Sequence, residues 1–466
     1  MTDTILARSE GAHGGRARRL DPRTSPPSVL RQLSSFRRLQ PRVREALEAA
    51  RAIAAPRPIY AVGGYVRDLL LGVSTLDIDL VVEGNASALA RRLGSFLGAS
   101  VAAHPRFGTA RLRLHEGITL DIATARAERY PAPAALPEVR PAGLLEDLAR
   151  RDFSVNAMAA RVDRHRFGPL VDPFTGLTDL RRGLIRVLHD RSFIDDPTRI
   201  FRAARFAARY RFAIARETSR LLTAALQAHA MASLAGSRIH VELSLIAKEP
   251  SPISTIRRLG DLGVLAAVHP GLAIPRAAFT LLHRIRRSLD RSPSLSMERL
   301  PAADTTYLLG MLLHLHPGTM RAVLKRLGPP QRLATKIVAD LRAGRAAVRR
   351  LSGGKDLRPS RIARLIDPLS PEARVLVQAT LSGPDARAVT NYLAHSRKIA
   401  PDLRGEDLRR LGVRPGPIYR KIFAALRAAR LDGRLQSAQE EIAFVRRRFA
   451  GKRGAMVKVD TGVEIQ

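Results

Sequence analysis

The stretch "YAVGGYVRDLLLGVSTLDIDLVVEG" (residues 60–84) decides how the first half of this chain folds. "YAV" is an apolar run stopped by Gly63-Gly64, "VRDLLLG" predicts a brief helix closed by Gly72, and "DIDLVVEG" predicts a second strand. On a strand, side chains at i and i+2 project from the same face, so Asp77 and Asp79 point together while Ile78 and Leu80 face the opposite layer. Neighbouring carboxylates repel, and beside an apolar strand they are costly unless a cation lies between them.

Hard oxygen ligands of this kind suit Mg2+, and two such ions can clamp the entering and leaving oxygens of an in-line phosphoryl or nucleotidyl transfer. Gly63 and Gly64 fit the other half of that chemistry. Glycine lets backbone N–H groups approach a triphosphate, and a helix N-terminus favours its charge. Arg67, three residues beyond Gly64, is placed to add a bidentate phosphate contact. Asp121, in "TLDIATAR", lies on a neighbouring expected strand and could supply a third carboxylate.

Outward from this stretch, residues 56–126 read as strands with one short helix. "ARLRLHEGITLDIATAR" forms a hairpin turning at Glu116-Gly117, and the Pro-rich "YPAPAALPEVRP" follows as a loop. After Leu184 the texture changes to Ala, Leu and Arg at helical spacing, as in "PTRIFRAARFAARYRF", "TSRLLTAALQAHA" and "RKIFAALRAARLDGR". The expected class is α+β: a small mixed or antiparallel sheet head followed by an all-α remainder. Gly353-Gly354 and Gly383-Pro384 mark breaks between helical pieces, and no fixed-period repeat is visible.

The chain has 466 residues, enough for two to four units, and no cysteine, which excludes disulfides, thiolate zinc sites and cysteine nucleophiles. Its 79 Lys+Arg against 42 Asp+Glu give a formal net charge of +37. Such an excess favours a polyanionic partner, because each neutralised phosphate releases condensed counterions. Residues 251–466 hold 40 Lys+Arg and 17 Asp+Glu, so more than half of the excess lies beyond the head. The longest uncharged run, 305–320, is interrupted by His314, His316 and Pro317 and is too short to span a bilayer. No membrane association or secretory signal is expected. Residues 1–40, Arg- and Ser-rich, superficially fit a transit peptide but read more simply as a disordered basic arm.

With these motifs in place, the chain resembles the DNA polymerase β nucleotidyltransferase superfamily. More closely, it is similar to the class II tRNA nucleotidyltransferases (CCA-adding enzymes) and bacterial poly(A) polymerases. "GGYVRDLLLG…DIDL" matches that family's metal motif and "RRDFSVNAMA" (150–159) its ribose and triphosphate motif. "VDPFTGLTDLRRGLIR" (171–186) matches its hinge, "FIDDPTRIFRAARFAARYRF" (193–212) its nucleotide-selecting helix, and "SRIHVEL" (237–243) the motif that buttresses this helix. The residues 405–435 are similar to its C-terminal helical region. The resemblance implies a basic, disordered extension over 1–55, a catalytic head over 56–185, a helical neck over 186–250, a body over 251–400, a tRNA-binding tail over 401–450 and an extension over 451–466. It also implies cytoplasmic addition of CMP and AMP, from CTP and ATP, to the tRNA 3′ end, with the acceptor and T-arm region held by the helical part and Mg2+ as cofactor. Asp77 and Asp79 would be the catalytic metal ligands, with Asp121 a candidate third. Gly63, Gly64, Arg67, Arg151, Asp152, Arg202 and Arg205 would grip ribose or triphosphate, and Asp196 and Arg199 would select the base.

That selection has a physical logic. Cytosine and adenine both present an exocyclic amine donor beside a ring-nitrogen acceptor, which a carboxylate and a guanidinium complement, whereas uracil and guanine present the reverse. Asp196 and Arg199, three apart, are expected on one face of one helix. Asp195 stands where many family members carry Glu. His189-Asp190 reads as structural, Arg446-Arg447-Arg448 as phosphate contact or plain surface, and Glu242 as an i,i+4 partner of Arg238. Within the family, CC-only addition, A-only addition and poly(A) synthesis stay open, with the loop 130–147 as determinant. A non-catalytic RNA-binding protein on the same scaffold is the reading from a different class. The oligomeric state is not legible.

Overall fold

The computed structural model describes residues 36, 39–294, 299–353 and 357–449. The arms 1–35 and 451–466 lie outside the described residues. The chain divides into two compact units, Met1–Ile274 with Pro317–Pro329, and Pro275–His316 with Pro330–Gln466.

The first unit is built on a seven-stranded sheet in the order β3-β4-β5-β2-β1-β8-β9. Its strands are β1 (Ile59–Val62), β2 (Asp77–Val82), β3 (Ser100–His104), β4 (Thr109–Arg113), β5 (Thr119–Thr124), β8 (Ala159–Asp163) and β9 (Arg166–Val171). β2 and β5 run parallel and every other pair antiparallel, so the sheet is mixed, as the sequence predicts. The hairpin β4–β5 turns where expected, with both Glu116 and Gly117 at positive φ. Two further pieces differ from expectation. β6 (Arg126–Arg129) and β7 (Glu138–Pro141) form a separate ribbon, so the Pro-rich loop is shorter than its composition suggests. β7 carries no alternation to announce it, because all four residues are exposed.

Helix α1 (Pro41–Ala54) corrects the expected extension over 1–55, since its Val43, Ala46, Leu47 and Ala50 are buried. The Arg-rich surroundings masked a short amphipathic stripe. α1 packs beside α3 (Ala86–Leu97) across the sheet face that carries Ile78, Leu80, Ala110, Leu112, Leu120 and Ile122. α2 (Gly63–Leu70) lies between β1 and β2 and begins at the double glycine itself. On the opposite face a small core of Val62, Val81, Ala125, Leu144, Leu148 and Ala159 forms under α4 (Leu144–Ala149). Past that core, over β5, β4 and β3, this face is open.

The chain then runs through α5 (Gly176–Arg182), α6 (Ser192–Asp195), α7 (Thr198–Tyr210), α8 (Arg216–Gln227), α9 (Ala230–Ser233) and α10 (Gly236–Ala247). α7 buries Ile200, Phe201 and Ala204 as expected, but Ala207 completes that face while Ala208, expected to pack inward, is half-buried. Two-residue strands at Leu184–Ile185 and Ala213–Ile214 pair in parallel within the part expected to be all helical. The helix Pro317–Leu327 returns to this unit and docks against α10. Arg326 donates to the carbonyl oxygens of Leu234 (3.1 Å) and Met231.

The second unit is all helical. One core gathers Leu351, Ile362, Ile366, Val377, Val389, Tyr392 and Leu393. Another gathers Leu403, Leu408, Ile422, Leu426 and Val445. Buried charges are paired: burial alone would lift the Glu372 carboxyl, but Lys336, the Ala302 N–H and Arg299 bring it down to about 2. Glu441 accepts from the N–H groups of Asp402 and Leu403 and from Arg430. Among the described residues, no helix is long and apolar enough to cross a membrane.

Close packing at α10 gives a stability prediction. A Cβ on Gly236 would collide with the carbonyl oxygen of Arg326 and press on Leu327. Gly236→Ala is expected to cost roughly 1–3 kcal/mol, read as a lowered denaturation midpoint with an unchanged slope.

Candidate active site

The carboxylates come together through strand register. Asp77 and Asp79 lie on the open face of β2, and Asp79 is the direct partner of Asp121 on β5. Asp79 borders the small core under α4, and this partial burial lifts its carboxyl to about 6. Arg151 and Arg67 oppose the rise, while Asp121 and Asp77 add to it. A cation between these oxygens would relieve that cost, so the residues present fit a divalent ion. Asp121 is otherwise engaged. Arg111, its antiparallel partner on β4, donates Nε–H to Oδ1 (2.6 Å) and Nη2–H to Oδ2 (2.7 Å). Among the described residues, no three carboxylate or imidazole groups converge as a ready-made metal cluster.

Next to β2, the double glycine is covered by arginine. Gly63 has φ +65°, and a Cβ there would collide with Arg151 Nη1. Arg151 is aimed by Asp147 of α4, a wholly buried carboxylate that accepts from Arg151 Nη2 (2.8 Å) and from Arg150 Nε (2.9 Å) and Nη2 (2.7 Å). Burial would raise Asp147, but Arg151 and Arg150 hold it below the usual carboxylate range. Asp147 is not among the residues expected at the site, although its i+3 and i+4 spacing to the two arginines is visible in the sequence.

Asp152 is buried too. Arg202 of α7 meets it through Nε (2.8 Å) and Nη2 (2.5 Å), and Asn156 donates to its other oxygen (3.0 Å). Burial would raise this carboxyl, and Arg202 and Asn156 hold it low instead. Arg67, expected at phosphate, is itself buried. It donates to Asp68 (2.9 Å) and Asn156 (2.5 Å), and lies 4.6 Å from the Tyr210 ring centroid. Its guanidinium packs against Gly64, where a Cβ would lie 3.3 Å from Nη2, and it is close enough to Asp79 to oppose the rise in that carboxyl. Arg205 continues the row of Arg202 but is likewise buried, over the Phe206 ring and near Glu249. Burial lowers its pKa, and the same cause raises Glu242 and Glu249, whose Oε2 atoms have no hydrogen-bond partner.

The pair expected to select the base, Asp196 and Arg199, differs in geometry from expectation. Asp196 is not on the helix. Its backbone is extended (φ −135°, ψ 92°) between α6 and α7, because Pro197 favours that conformation in the residue before it. Its Oδ1 accepts from the Thr198 N–H (3.1 Å), the Thr198 hydroxyl (2.6 Å) and Arg238 Nη2 (2.8 Å). Arg238 is therefore a partner of Asp196 and not of Glu242. It also donates to the Ala134 carbonyl (3.1 Å), while the Ala134 N–H reaches the carbonyls of Ile194 (3.3 Å) and Asp195 (3.2 Å). The loop after β6 is thus pinned to the α6–α7 junction.

Arg199 is only 4% exposed. It donates to Ser192 Oγ (2.7 Å) and the Arg150 carbonyl (2.8 Å), with His189 Nε2 at 3.5 Å. His189 thus has a structural place, its pKa lowered by burial and by Arg199. The Tyr130 ring centroid lies 6.0 Å from the Arg199 guanidinium, and its hydroxyl donates to Glu128 (3.3 Å), which also receives Arg150 (2.8 Å). Burial pushes the Tyr130 phenol up to about 12.

Comparison with known proteins points to one family. Residues 59–186 match the poly A polymerase head domain. The chain is 35% identical, over 84% of its length and 89% of the relative's, to an A-adding tRNA nucleotidyltransferase of Halalkalibacterium halodurans. A Geobacter sulfurreducens A-adding tRNA nucleotidyltransferase is also 35% identical over 83% of this chain, which spans 44% of that longer relative. A Deinococcus radiodurans CC-adding tRNA nucleotidyltransferase is 33% identical over 86% of this chain and 93% of its own. Among solved structures, a CCA-adding enzyme in an apo form superposes with a TM-score of 0.74 at 32% identity, covering 89% of this chain and 97% of the other. The Thermotoga maritima CCA-adding enzyme in complex with tRNA superposes with a TM-score of 0.71 at 31% identity, covering 90% and 97%. The sheet, the paired carboxylates, the arginine-covered glycines and these matches along most of its length place the chain in the family of class II tRNA nucleotidyltransferases and bacterial poly(A) polymerases.

Proposed function

We propose that this protein adds nucleotides to the 3′ end of tRNA without a template, taking CMP and AMP from CTP and ATP. The observation that carries this reading is the convergence of Asp77, Asp79 and the Arg151-covered Gly63 at one end of the sheet, with Asp196 and Arg199 held in a separate rigid mount. In this reading Gly63, Gly64 and Arg151 cradle the triphosphate. Asp152, through Arg202, fixes the turn that carries Arg151. Arg67 and Arg205 support this floor from below instead of gripping phosphate. Thr198 and Arg238 hold Oδ1 of Asp196, so that Oδ2 accepts from the exocyclic amine of C or A while Arg199 donates to the ring nitrogen. Tyr130 closes the side of this pair.

Nucleotidyltransferases of this family use divalent metal ions, and here Asp77 and Asp79 would hold Mg2+, with Asp121 as a third ligand once released from Arg111. When bound, the ion neutralises charge building on the transferred phosphate and on the departing pyrophosphate. The domain division into head, neck, body and tail is part of this proposal, supported by the separate helical cores. The basic helices of the second unit would hold the acceptor and T-arm region by shape and phosphate contacts, and the cytoplasm is the proposed compartment. The A-adding relatives favour a second reading, addition of A alone to ends already carrying CC.

Transcripts ending before CCA, after C and after CC, each given a single labelled nucleotide with Mg2+, separate these readings. CMP followed by AMP supports the full reading, AMP only on the CC end supports the second, and no incorporation overturns both. Asp79→Ala is expected to abolish transfer while tRNA binding in a filter assay stays near wild type. Arg199→Ala is expected to raise UMP or GMP misincorporation relative to CMP and AMP, and unchanged discrimination removes Arg199 from base selection.

Asp79 also gives a pH signature in metal-free protein. Its folded-state value of about 6, against 3.8 in the free side chain, means that the fold binds this proton more tightly than the unfolded chain. That contribution is complete below pH 3.8 and is lost as pH rises through 6. In EDTA, Asp79→Asn is therefore expected to melt above wild type at pH 8, by at most about 3 kcal/mol. The gap should close toward pH 4. An equal gap at both values contradicts the burial-driven shift.

A further inference from the structure

Arg111 is the one charged residue at the carboxylate cluster for which the proposed reaction has no use so far. Both oxygens of Asp121 are taken by its guanidinium, at 2.6 and 2.7 Å. The side chains are 51% and 38% exposed, and ion pairs this open are easily exchanged for another partner. Arg111 also feels Asp77 and Asp79, after the stronger influence of Asp121.

The surroundings of Arg111 indicate what that partner is. Across β4 and β3 the open face continues with Arg113, Thr109, Ser100, Ala102 and His104, while Ala110, Leu112, Val101 and Ala103 turn toward the packed side or lie half-buried. Small and basic side chains on a flat, uncovered strand surface let a polyanion's backbone come close, and arginine meets a phosphodiester with two parallel hydrogen bonds.

Sheet order fixes which polyanion arrives from that side. The glycine cradle and Arg151 stand at β1 and α2, on one flank of β2, whereas β5, β4 and β3 follow on the other. In-line transfer puts the attacking oxygen opposite the leaving pyrophosphate. With the triphosphate over the β1 flank, the RNA strand that carries the attacking hydroxyl must come over β5 and β4, where Arg111 waits. This argument rests on the nucleotidyl-transfer reading above.

We propose that Arg111 is a latch that senses the RNA 3′ strand. In the free protein it holds Asp121. As the 3′ strand docks, its guanidinium passes to the last phosphodiester, and the freed Asp121 carboxylate is left beside the attacking 3′-hydroxyl. Primer arrival and exposure of the third carboxylate then become one event. Arg111 binds substrate in this scheme and Asp121 is its internal competitor.

The competition is measurable without catalysis. In EDTA at low salt, filter binding compares a tRNA transcript ending in CC with the same transcript cut back into the acceptor stem. The Kd of the truncated transcript divided by that of the CC transcript isolates the contribution of the 3′ strand. Asp121→Asn should raise this ratio about five- to tenfold by releasing Arg111. Arg111→Ala should lower it, and the Asp121→Asn, Arg111→Ala double variant should match Arg111→Ala alone. An unchanged ratio in Asp121→Asn overturns the latch. So does a gain that survives in the double variant, which would reflect only the loss of a negative charge. Nucleotide incorporation by the wild-type protein, scored separately, keeps the two proposals distinct: incorporation without the ratio change removes the latch alone, and no incorporation removes the reaction on which it rests.

Discussion

The site depends first on Asp147. A wholly buried carboxylate must be fully paired to be tolerated, and this one is paired with both Arg150 and Arg151. Holding both at once sets the path of the chain beyond α4. Arg151 is turned over Gly63 and toward Asp79, while the Arg150 carbonyl is presented to Arg199 and its guanidinium to Glu128. One buried charge thereby positions the phosphate side and the base side of the proposed site together. Asp152, two residues past Arg150, repeats the device by binding Arg202 and so ties the same turn to α7.

A layered economy of arginine follows. Arg67 and Arg205 face inward and are spent on carboxylates and aromatic rings, forming a rigid floor. Arg151 and Arg202 occupy the intermediate level, each anchored at one end. Arg111 and Arg113 stay on the open face, where water keeps the Arg111–Asp121 pairing exchangeable. Guanidinium suits all three levels because it stays charged when buried and forks to planar acceptors. In the proposed reaction, base selection would draw on the buried inner levels, with exchangeable contacts confined to the outer one.

Part of this site was open to reading in the sequence. The β4–β5 turn at Glu116-Gly117 fixes the hairpin register, and that register alone pairs Arg111 with Asp121, although the carboxylate was noticed and its partner was not. Asp147 and its two arginines were equally close in sequence. Arg238 was not recoverable in this way. Its local spacing pointed to Glu242, whereas the fold sends it to Asp196, forty-two residues upstream, and to a loop farther still. Arg67 is buried because a short helix starting at the glycines rotates position i+3 inward, which the spacing alone does not reveal.

Period-two and period-3.6 patterns, glycine placement and carboxylate spacing by themselves determined a mixed-sheet head with Asp77 and Asp79 on one face, followed by helices. Those features are local, set by backbone geometry and by which side chains leave water. The tertiary structure alone decided which charges are buried and with whom they pair. A guanidinium chooses among carboxylates that are remote in sequence, and the choice depends on the desolvation each would suffer in the assembled fold. For that reason the opening DxD was legible at once, while the partners of Asp121, Asp152 and Asp196 emerged only when the strands and helices had been brought together.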